Sequence, residues 1–136
     1  MDTAIIIVNH NHKDSIIKLI ESLYQFNDMD SSNIIFIQNT SSPYLENYLK
    51  NFTNIIFIQN EKIKGFAENV NYGIKIARDQ FDPEYFLLIN PDVRLKENLS
   101  TPFKKLINSD KGIGIIAPKL LNDDGILQYS CRRFYN

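Results

Sequence analysis

Four short apolar runs, separated by stretches with helical periodicity, constrain the fold of this chain more than any other feature. The runs are rich in isoleucine, leucine and phenylalanine and occupy residues 3–9, 33–37, 54–58 and 85–89. A continuous apolar run bounded by turn residues indicates a strand buried on both faces, as in a parallel sheet. Strands that alternate with helices are joined by right-handed crossovers. We therefore predict an α/β fold with a mostly parallel sheet in the order 3-2-1-4 and helices on both faces.

The stretches between the runs predict helices at about residues 14–26, 43–51, 66–80 and 97–108. Apolar residues three and four apart define the core-facing side of these helices. The core-facing residues are Ile16, Leu19, Ile20 and Leu23, then Phe66, Val70, Ile74 and Ala77, and finally Leu99, Phe103, Leu106 and Ile107. Asp14 is the expected N-cap of the first helix. Gly73 would allow the third helix to approach the sheet closely.

The C-terminal part of the chain carries a strand signal followed by a hairpin signal. Residues 113–117 are apolar and β-branched, and they predict a fifth strand. Residues 118–129 predict a β-hairpin with Asn122-Asp123-Asp124-Gly125 at its turn, because Asp-Gly is a strong hairpin signal.

Composition places the chain among ordinary globular proteins. Its 136 residues predict one domain, residues 1–136. A net charge of −1 gives no global field that would attract nucleic acid or an anionic membrane. The sole cysteine, Cys131, cannot form an internal disulfide and fits a reducing compartment. Because we find neither a membrane-length apolar run nor a basic signal-peptide start, we expect a soluble, cytoplasmic protein.

The predicted strand order brings three polar loops to one edge of the sheet. These loops are residues 9–12, 38–42 and 90–92, and Gly65 opens a helix that could begin nearby. In open α/β sheets, ligands bind at the carboxyl ends of the strands, where the strand order reverses. Pro91 stops the fourth strand, since it has no N–H to donate, and leaves the Asp92 carboxylate just beyond it. Asp92 could also be only a turn former.

Several site classes are excluded or disfavoured by missing motifs. No Gly-x-Gly-x-x-Gly follows the first strand, no Gly-Lys-Ser/Thr is present, and no nucleophile elbow occurs. His10 and His12 lack the further ligands that a zinc site requires. A hard divalent cation, bound by one carboxylate together with phosphate oxygens, would suit the remaining arrangement.

Five motifs, in order along nearly the whole chain, carry a family resemblance. They are Asn9-His10-Asn11, Gln38-Asn39-Thr40-Ser41, residues 60–71, Asn90-Pro91-Asp92-Val93 and Ser130-Cys131-Arg132-Arg133-Phe134. This ordered set resembles family 2 glycosyltransferases, and within them the rhamnosyltransferase-like branch. The resemblance implies a GT-A fold, a nucleotide-sugar donor and an inverting transfer to an acceptor hydroxyl.

The resemblance also implies roles for particular residues. Asp92 would face a Mg²⁺ or Mn²⁺ ion and the donor diphosphate, and Asn90 would hold the first position of the same motif. The donor-binding residues implied in this way are Asn9, His10, Gln38, Asn39, Ser41, Gly65, Phe66, Asn71, Asn90 and Asp92. Gln38 stands where the family usually has Asp, although its amide oxygen can still accept a hydrogen bond from a nucleobase.

The resemblance further implies a catalytic domain that continues past Asn136 and carries the general base there. We therefore expect no catalytic residue within this chain and weak or absent transfer by the chain alone. The acceptor of a full-length enzyme would be a glycan or a lipid-linked sugar, which could place the protein at the inner face of the membrane. Two alternatives stay open: a non-catalytic module that binds a nucleotide or a protein, and a fragment that forms homo-oligomers through exposed surfaces.

Overall fold

The computed structural model describes residues 3–26 and 32–130. Its helices and strands, in chain order, are β1 (Thr3–Asn9), α1 (Lys13–Gln25), β2 (Asn33–Gln38), α2 (Pro43–Leu49), β3 (Ile55–Gln59), α3 (Phe66–Phe81), β4 (Tyr85–Ile89) and α4 (Ser100–Ser109). The chain divides into two compact units, residues 1–100 and 101–136. The single domain over residues 1–136 therefore stays a prediction. No helix within the described ranges is both long and apolar enough to cross a membrane.

The first unit is built on a four-stranded parallel sheet in the order β3-β2-β1-β4. In the register, Ile5 of β1 lies opposite Ile34 of β2 on one side and Leu87 of β4 on the other. The chain winds outward from β1 to β3 and then returns to the opposite side of β1 for β4. The predicted strand order is confirmed, and the reversal falls between β1 and β4.

Helices cover both faces of this sheet, as predicted. On one face, Ile5 and Ile7 pack with the α1 residues Ile16 and Leu19, and α2 contributes Leu45 to the same cluster. On the other face, the alternate β1 and β2 side chains pack against α3. Successive side chains of a strand point to opposite faces, so a run without polar residues fills both cores.

Helix α3 lies unusually close to the sheet at Gly73. A Cβ added there would lie 2.9 Å from Ile6 Cγ2 and 3.1 Å from Ile37 Cδ1. The predicted close approach is confirmed. The predicted core position of Phe66 is wrong, because its side chain is 55% exposed, whereas Asn69 on the same helix is fully buried. The reason is that Phe66 is the first residue of α3 and borders the open cleft rather than the core.

Two further local predictions are corrected. Asp14 is not the N-cap of α1, because the helix begins at Lys13 and His12 holds the capping position. Asp14 lies instead in the first turn, where a carboxylate interacts favourably with the helix dipole. Burial of β4 on both faces is also wrong: within the described residues β4 pairs only with β1, and Leu88 is 46% exposed.

The C-terminal region forms less regular structure than predicted. Helix α4 has no buried residue within its ten positions, so the inward placement of Leu106 is wrong. No strand forms over residues 113–117 of the described chain. The predicted turn is present, since the Gly125 N–H donates to the Asn122 carbonyl over 2.9 Å and Gly125 has φ +82°.

The hairpin beyond that turn is not confirmed. The described residues hold one antiparallel bridge there, between Leu121 and Leu127. All residues from 121 to 130 are exposed. An isolated two-stranded ribbon without a buried face is only marginally stable, which explains why the turn does not extend into strands.

Candidate functional site

A cleft of about 440 Å³ lies at the carboxyl edge of the sheet, within the first unit. The ends of β1, β2 and β4 contribute to it, together with the segment that precedes α3. The residues that line it are Val8, His10, His12, Asn39, Ile63, Lys64, Phe66, Asn90, Pro91 and Asp92. The cleft therefore forms where the strand order reverses, which is the usual ligand position in open α/β sheets.

Asp92 and Asn90 reach the cleft from a turn that follows β4. The Val93 N–H donates to the Asn90 carbonyl over 3.3 Å, and both Asn90 and Asp92 are exposed. The chain beyond the turn is anchored, because the buried Leu95 donates its backbone N–H to Ser22 Oγ of α1 over 3.2 Å. The carboxylate is thus presented to solvent from a segment that is fixed on the core.

Asn9 and Gln38 lie at the ends of neighbouring strands and bind each other. Asn9 Nδ2 donates to Gln38 Oε1 over 2.8 Å, and both side chains are buried. Asn9 Oδ1 accepts from the His12 N–H, and Gln38 Nε2 donates to the Thr40 carbonyl. Neither residue lines the cleft. Their hydrogen bonds fix the two loops that carry His10 and Asn39.

A network of asparagine amides, from the buried Asn39 and Asn69 and the half-buried Asn60, holds the segment before α3. Asn39 makes two hydrogen bonds of 2.9 Å with the backbone of Lys64, one from its Nδ2 to the carbonyl and one to its Oδ1 from the N–H. Asn60 Nδ2 donates to Asn39 Oδ1 over 3.0 Å and to Asn69 Oδ1 over 2.7 Å. Asn69 Nδ2 donates to the Lys64 carbonyl over 3.3 Å. The network sets the position of one wall of the cleft.

The implied donor-binding residues separate into two sets. Five of them line the cleft: His10, Asn39, Phe66, Asn90 and Asp92. Five do not: Asn9, Gln38, Ser41, Gly65 and Asn71. Ser41, Gly65 and Asn71 are exposed, and no heavy atom would lie within 4 Å of a Cβ added at Gly65.

The sequence reasoning did not assign a site role to Lys64, Ile63, Asn60 or Asn69. One signal for Asn69 was available, because it lies three residues after Phe66 and four before Gly73, on the face of α3 that packs against the sheet. A polar amide at such a position needs hydrogen-bond partners when it is buried. No comparable signal exists for Asn60, whose partners are fixed only by the tertiary structure.

Two lining side chains are charged when histidine is counted neutral: Asp92 and Lys64. The ammonium of Lys64 lies 3.6 Å from Glu68 Oε1 and 5.0 Å from the ring centre of Tyr72. The described residues contain no group of three or more His, Cys, Asp or Glu side chains able to hold a metal ion. A cation at Asp92 would therefore need most of its ligands from a bound molecule and from water.

These features define a class of protein: a doubly wound α/β protein with a cleft at the carboxyl edge of its sheet, where such folds bind ligands. The comparison with protein families makes the assignment specific. The chain belongs to glycosyltransferase family 2, because the family model "Glycosyl transferase family 2" matches residues 4–130.

One curated relative matches almost the whole chain. The rhamnosyltransferase WbbL of Escherichia coli (strain K12) is 29% identical over 135 residues, which cover 96% of this chain and 50% of WbbL. The chain thus spans about half the length of this relative.

Solved structures share the fold at lower identity. Residues 1–349 of S. aureus TarS in complex with UDP-GlcNAc match with a TM-score of 0.69 and 17% identity, over 80% of this chain and 32% of that 1–349 chain. The mannosyltransferase PcManGT from Pyrobaculum calidifontis, in complex with GDP-Man and Mn²⁺, matches with a TM-score of 0.59 and 12% identity, over 70% of this chain and 28% of PcManGT. The predicted glycosyltransferase-type α/β fold is confirmed.

Proposed function

We propose that this chain binds a nucleoside-diphosphate sugar in the cleft, with a divalent cation at Asp92, as the donor-binding part of an inverting sugar transferase. The observation that carries the proposal is the convergence of Asp92, Asn90, His10 and Asn39 on one cleft at the strand reversal. Membership of glycosyltransferase family 2 supports it. Neighbours of the same fold hold UDP-GlcNAc or GDP-Man.

The donor atoms at this position fit Mg²⁺ or Mn²⁺. Asp92 offers carboxylate oxygens and Asn90 an amide oxygen, both exposed in the cleft. Magnesium is commonly bound by one or two carboxylates together with substrate phosphates and water, and rarely by a cage made entirely of protein groups. When bound, the ion would neutralise charge that develops on the leaving diphosphate. Asp92 would orient the ion, and the turn anchored through Leu95 would hold Asp92.

The remaining residues of the proposed site divide between contact and support. His10, Asn39 and Phe66 line the cleft and would contact the donor. Asn9 and Gln38 are buried against each other and would position the loops that carry His10 and Asn39. Ser41, Gly65 and Asn71 do not line the cleft, and we leave them outside the proposed contact set.

Transfer to an acceptor requires a general base in addition to the donor site. The lining residues of the cleft include one carboxylate, Asp92, which the proposal assigns to the cation. We therefore propose that the base and the surface for a glycan or lipid-linked acceptor lie outside the donor-binding region, and that residues 1–136 form one donor-binding domain. A cytoplasmic location, at or near the inner face of the membrane, is part of the same proposal.

Calorimetric titration tests donor binding. The 136-residue chain is titrated with UDP, dTDP and GDP in the presence and absence of Mn²⁺, and then compared with Asp92→Asn. We expect Mn²⁺-dependent binding of at least one nucleotide, lost in Asp92→Asn, because the substitution removes the charged ligand of the ion. Asp79→Asn is the control, since Asp79 is an exposed acidic residue of α3 outside the cleft. Absence of binding, or equal affinity of both variants, would overturn the proposal.

A second function, nucleotide binding without transfer, is favoured by one observation: the cleft supplies a single carboxylate. The two functions differ in turnover. Release of UDP, dTDP or GDP from the corresponding sugar donor, at a rate that falls in Asp92→Asn, would establish an enzyme. Because the proposed base lies outside residues 1–136, absence of turnover supports the binding module only when it is measured, with glycan acceptors added, on a longer chain that includes the region expected to carry the base.

A further inference from the structure

Lys64 is a positively charged residue in the lining of the proposed donor cleft, and the structure fixes its backbone closely. It immediately precedes Gly65, the N-cap of α3, and it is a lining residue of the cleft, as Asp92 is. Its backbone N–H and carbonyl both bind the side chain of Asn39 at 2.9 Å, and its carbonyl also accepts from Asn69. The backbone of Lys64 is therefore anchored, whereas its ammonium group lies beside Glu68 and Tyr72 of α3.

The present partners of the ammonium group are weak and replaceable. Glu68 Oε1 lies 3.6 Å away, beyond a short charge-assisted hydrogen bond, and the Glu68 side chain is 62% exposed. An ion pair this exposed contributes little to stability, because water screens it and both side chains lose rotamer freedom. The Tyr72 ring at 5.0 Å adds a modest cation–π contact. A phosphate oxygen could therefore replace Glu68 as the partner of the ammonium with little loss of free energy.

The proposed complex carries an excess of negative charge that this ammonium could compensate. A diphosphate diester and the Asp92 carboxylate together carry more negative charge than a single divalent cation neutralises. Burying an uncompensated charge beside low-dielectric walls is unfavourable. Among the described residues that line the cleft, Lys64 is the one that carries a permanent positive charge at neutral pH.

We propose that Lys64 binds the diphosphate of the donor, in the cleft that also holds the proposed cation at Asp92. This inference rests on the proposed function for the identity of the ligand as a nucleoside-diphosphate sugar. It assigns to Lys64 the recognition of phosphate charge, and it assigns to the Asn39–Asn60–Asn69 network the positioning of Lys64.

The test compares charge-neutralising variants of two lysines in the same segment. Lys64→Gln removes the proposed contact, and Lys62→Gln removes an exposed lysine that does not line the cleft. Each protein is titrated with UDP, dTDP, GDP, the corresponding nucleosides and inorganic pyrophosphate, all with Mn²⁺ and at pH 8, where an ordinary histidine is neutral. Thermal unfolding of each variant checks that the fold is intact.

The expected result is a diphosphate-specific loss. Lys64→Gln should weaken binding of the preferred nucleoside diphosphate about tenfold, the lower end of the range for a hydrogen bond to a charged group, and should leave the nucleoside unaffected. Lys62→Gln should behave as the unaltered chain, and Lys64→Arg should retain most of the affinity because it keeps the charge. The loss should shrink at high salt.

Other outcomes separate this inference from the proposed function. Equal affinities of Lys64→Gln and Lys62→Gln, or equal losses for diphosphate and nucleoside, would overturn the role of Lys64 and leave the donor site standing. Binding of pyrophosphate through Lys64 without binding of any nucleotide would keep the role of Lys64 and overturn the nucleotide-sugar function. Binding of neither would overturn both.

Discussion

Replacement of Asn69 by alanine is the sharpest test of how the cleft wall is held. Asn69 is fully buried, accepts from Asn60 Nδ2 at 2.7 Å and donates to the Lys64 carbonyl at 3.3 Å. Removing both hydrogen bonds from a buried site costs about 2.5 kcal/mol, at slightly more than 1 kcal/mol for each bond. The higher helix propensity of alanine returns roughly 0.5 kcal/mol. We expect a net loss of about 2 kcal/mol in the free energy of unfolding.

Urea unfolding followed by far-ultraviolet circular dichroism measures this loss. With a slope of about 2 kcal/mol per molar, the midpoint should fall by roughly 1 M with an unchanged slope. Asn71→Ala is the matched control for stability, because Asn71 lies on the exposed side of the same helix and gains the same propensity. A midpoint for Asn69→Ala within about 0.2 M of the Asn71→Ala midpoint would show that the amide network does not stabilise the protein.

Two other substitutions test the packing and the strand-end contact. Gly73→Ala should destabilise the protein by about 1–2 kcal/mol in urea unfolding, because its Cβ would lie 2.9 Å from a methyl group of Ile6 in β1. This overpacking outweighs the gain in helix propensity. Gly114→Ala is the control and should leave the urea midpoint unchanged, because no heavy atom would lie within 4 Å of its Cβ. Gln38→Ala should lower the free energy of unfolding by about 2–3 kcal/mol, because it leaves the buried Asn9 amide without its 2.8 Å partner. It should also weaken nucleotide binding in calorimetry, because the neighbouring loops lose a contact that holds them. An unchanged urea midpoint would contradict the structural role given to Gln38.

Much of the fold could be predicted because its signals are local. Residues 4–8 of β1 are all apolar, which is typical of a strand with a core on each face, and the α1 residues Ile16 and Leu19 repeat at helical spacing. The order of the strands then follows from general rules of chain connection. The same rules bring the loop of Asp92 to the carboxyl edge beside β1.

The predictions that failed depended on tertiary contacts, which cannot be read from the sequence. Residues 113–117 are as apolar as a strand, yet no strand forms there in the described chain, since a strand needs a partner to take its backbone hydrogen bonds. Phe66 continues the helical periodicity of α3, but it lies beside the cleft rather than the core.

The sequence by itself determined the alternation of strands and helices, the reversal of strand order beside β1 and the position of the Asp92 carboxylate at that reversal. Only the tertiary structure decided which polar side chains face the cleft. Asn39 forms hydrogen bonds with the backbone of Lys64, which is 25 residues away in the sequence, and Asn9 binds Gln38, which is 29 residues away. Asparagine and glutamine at strand ends look alike in a sequence whether they bind a ligand or one another. The register between β1 and β2 settles the difference for Asn9 and Gln38, because it places them opposite each other, and the two hydrogen bonds from Asn39 settle the position of the Lys64 backbone.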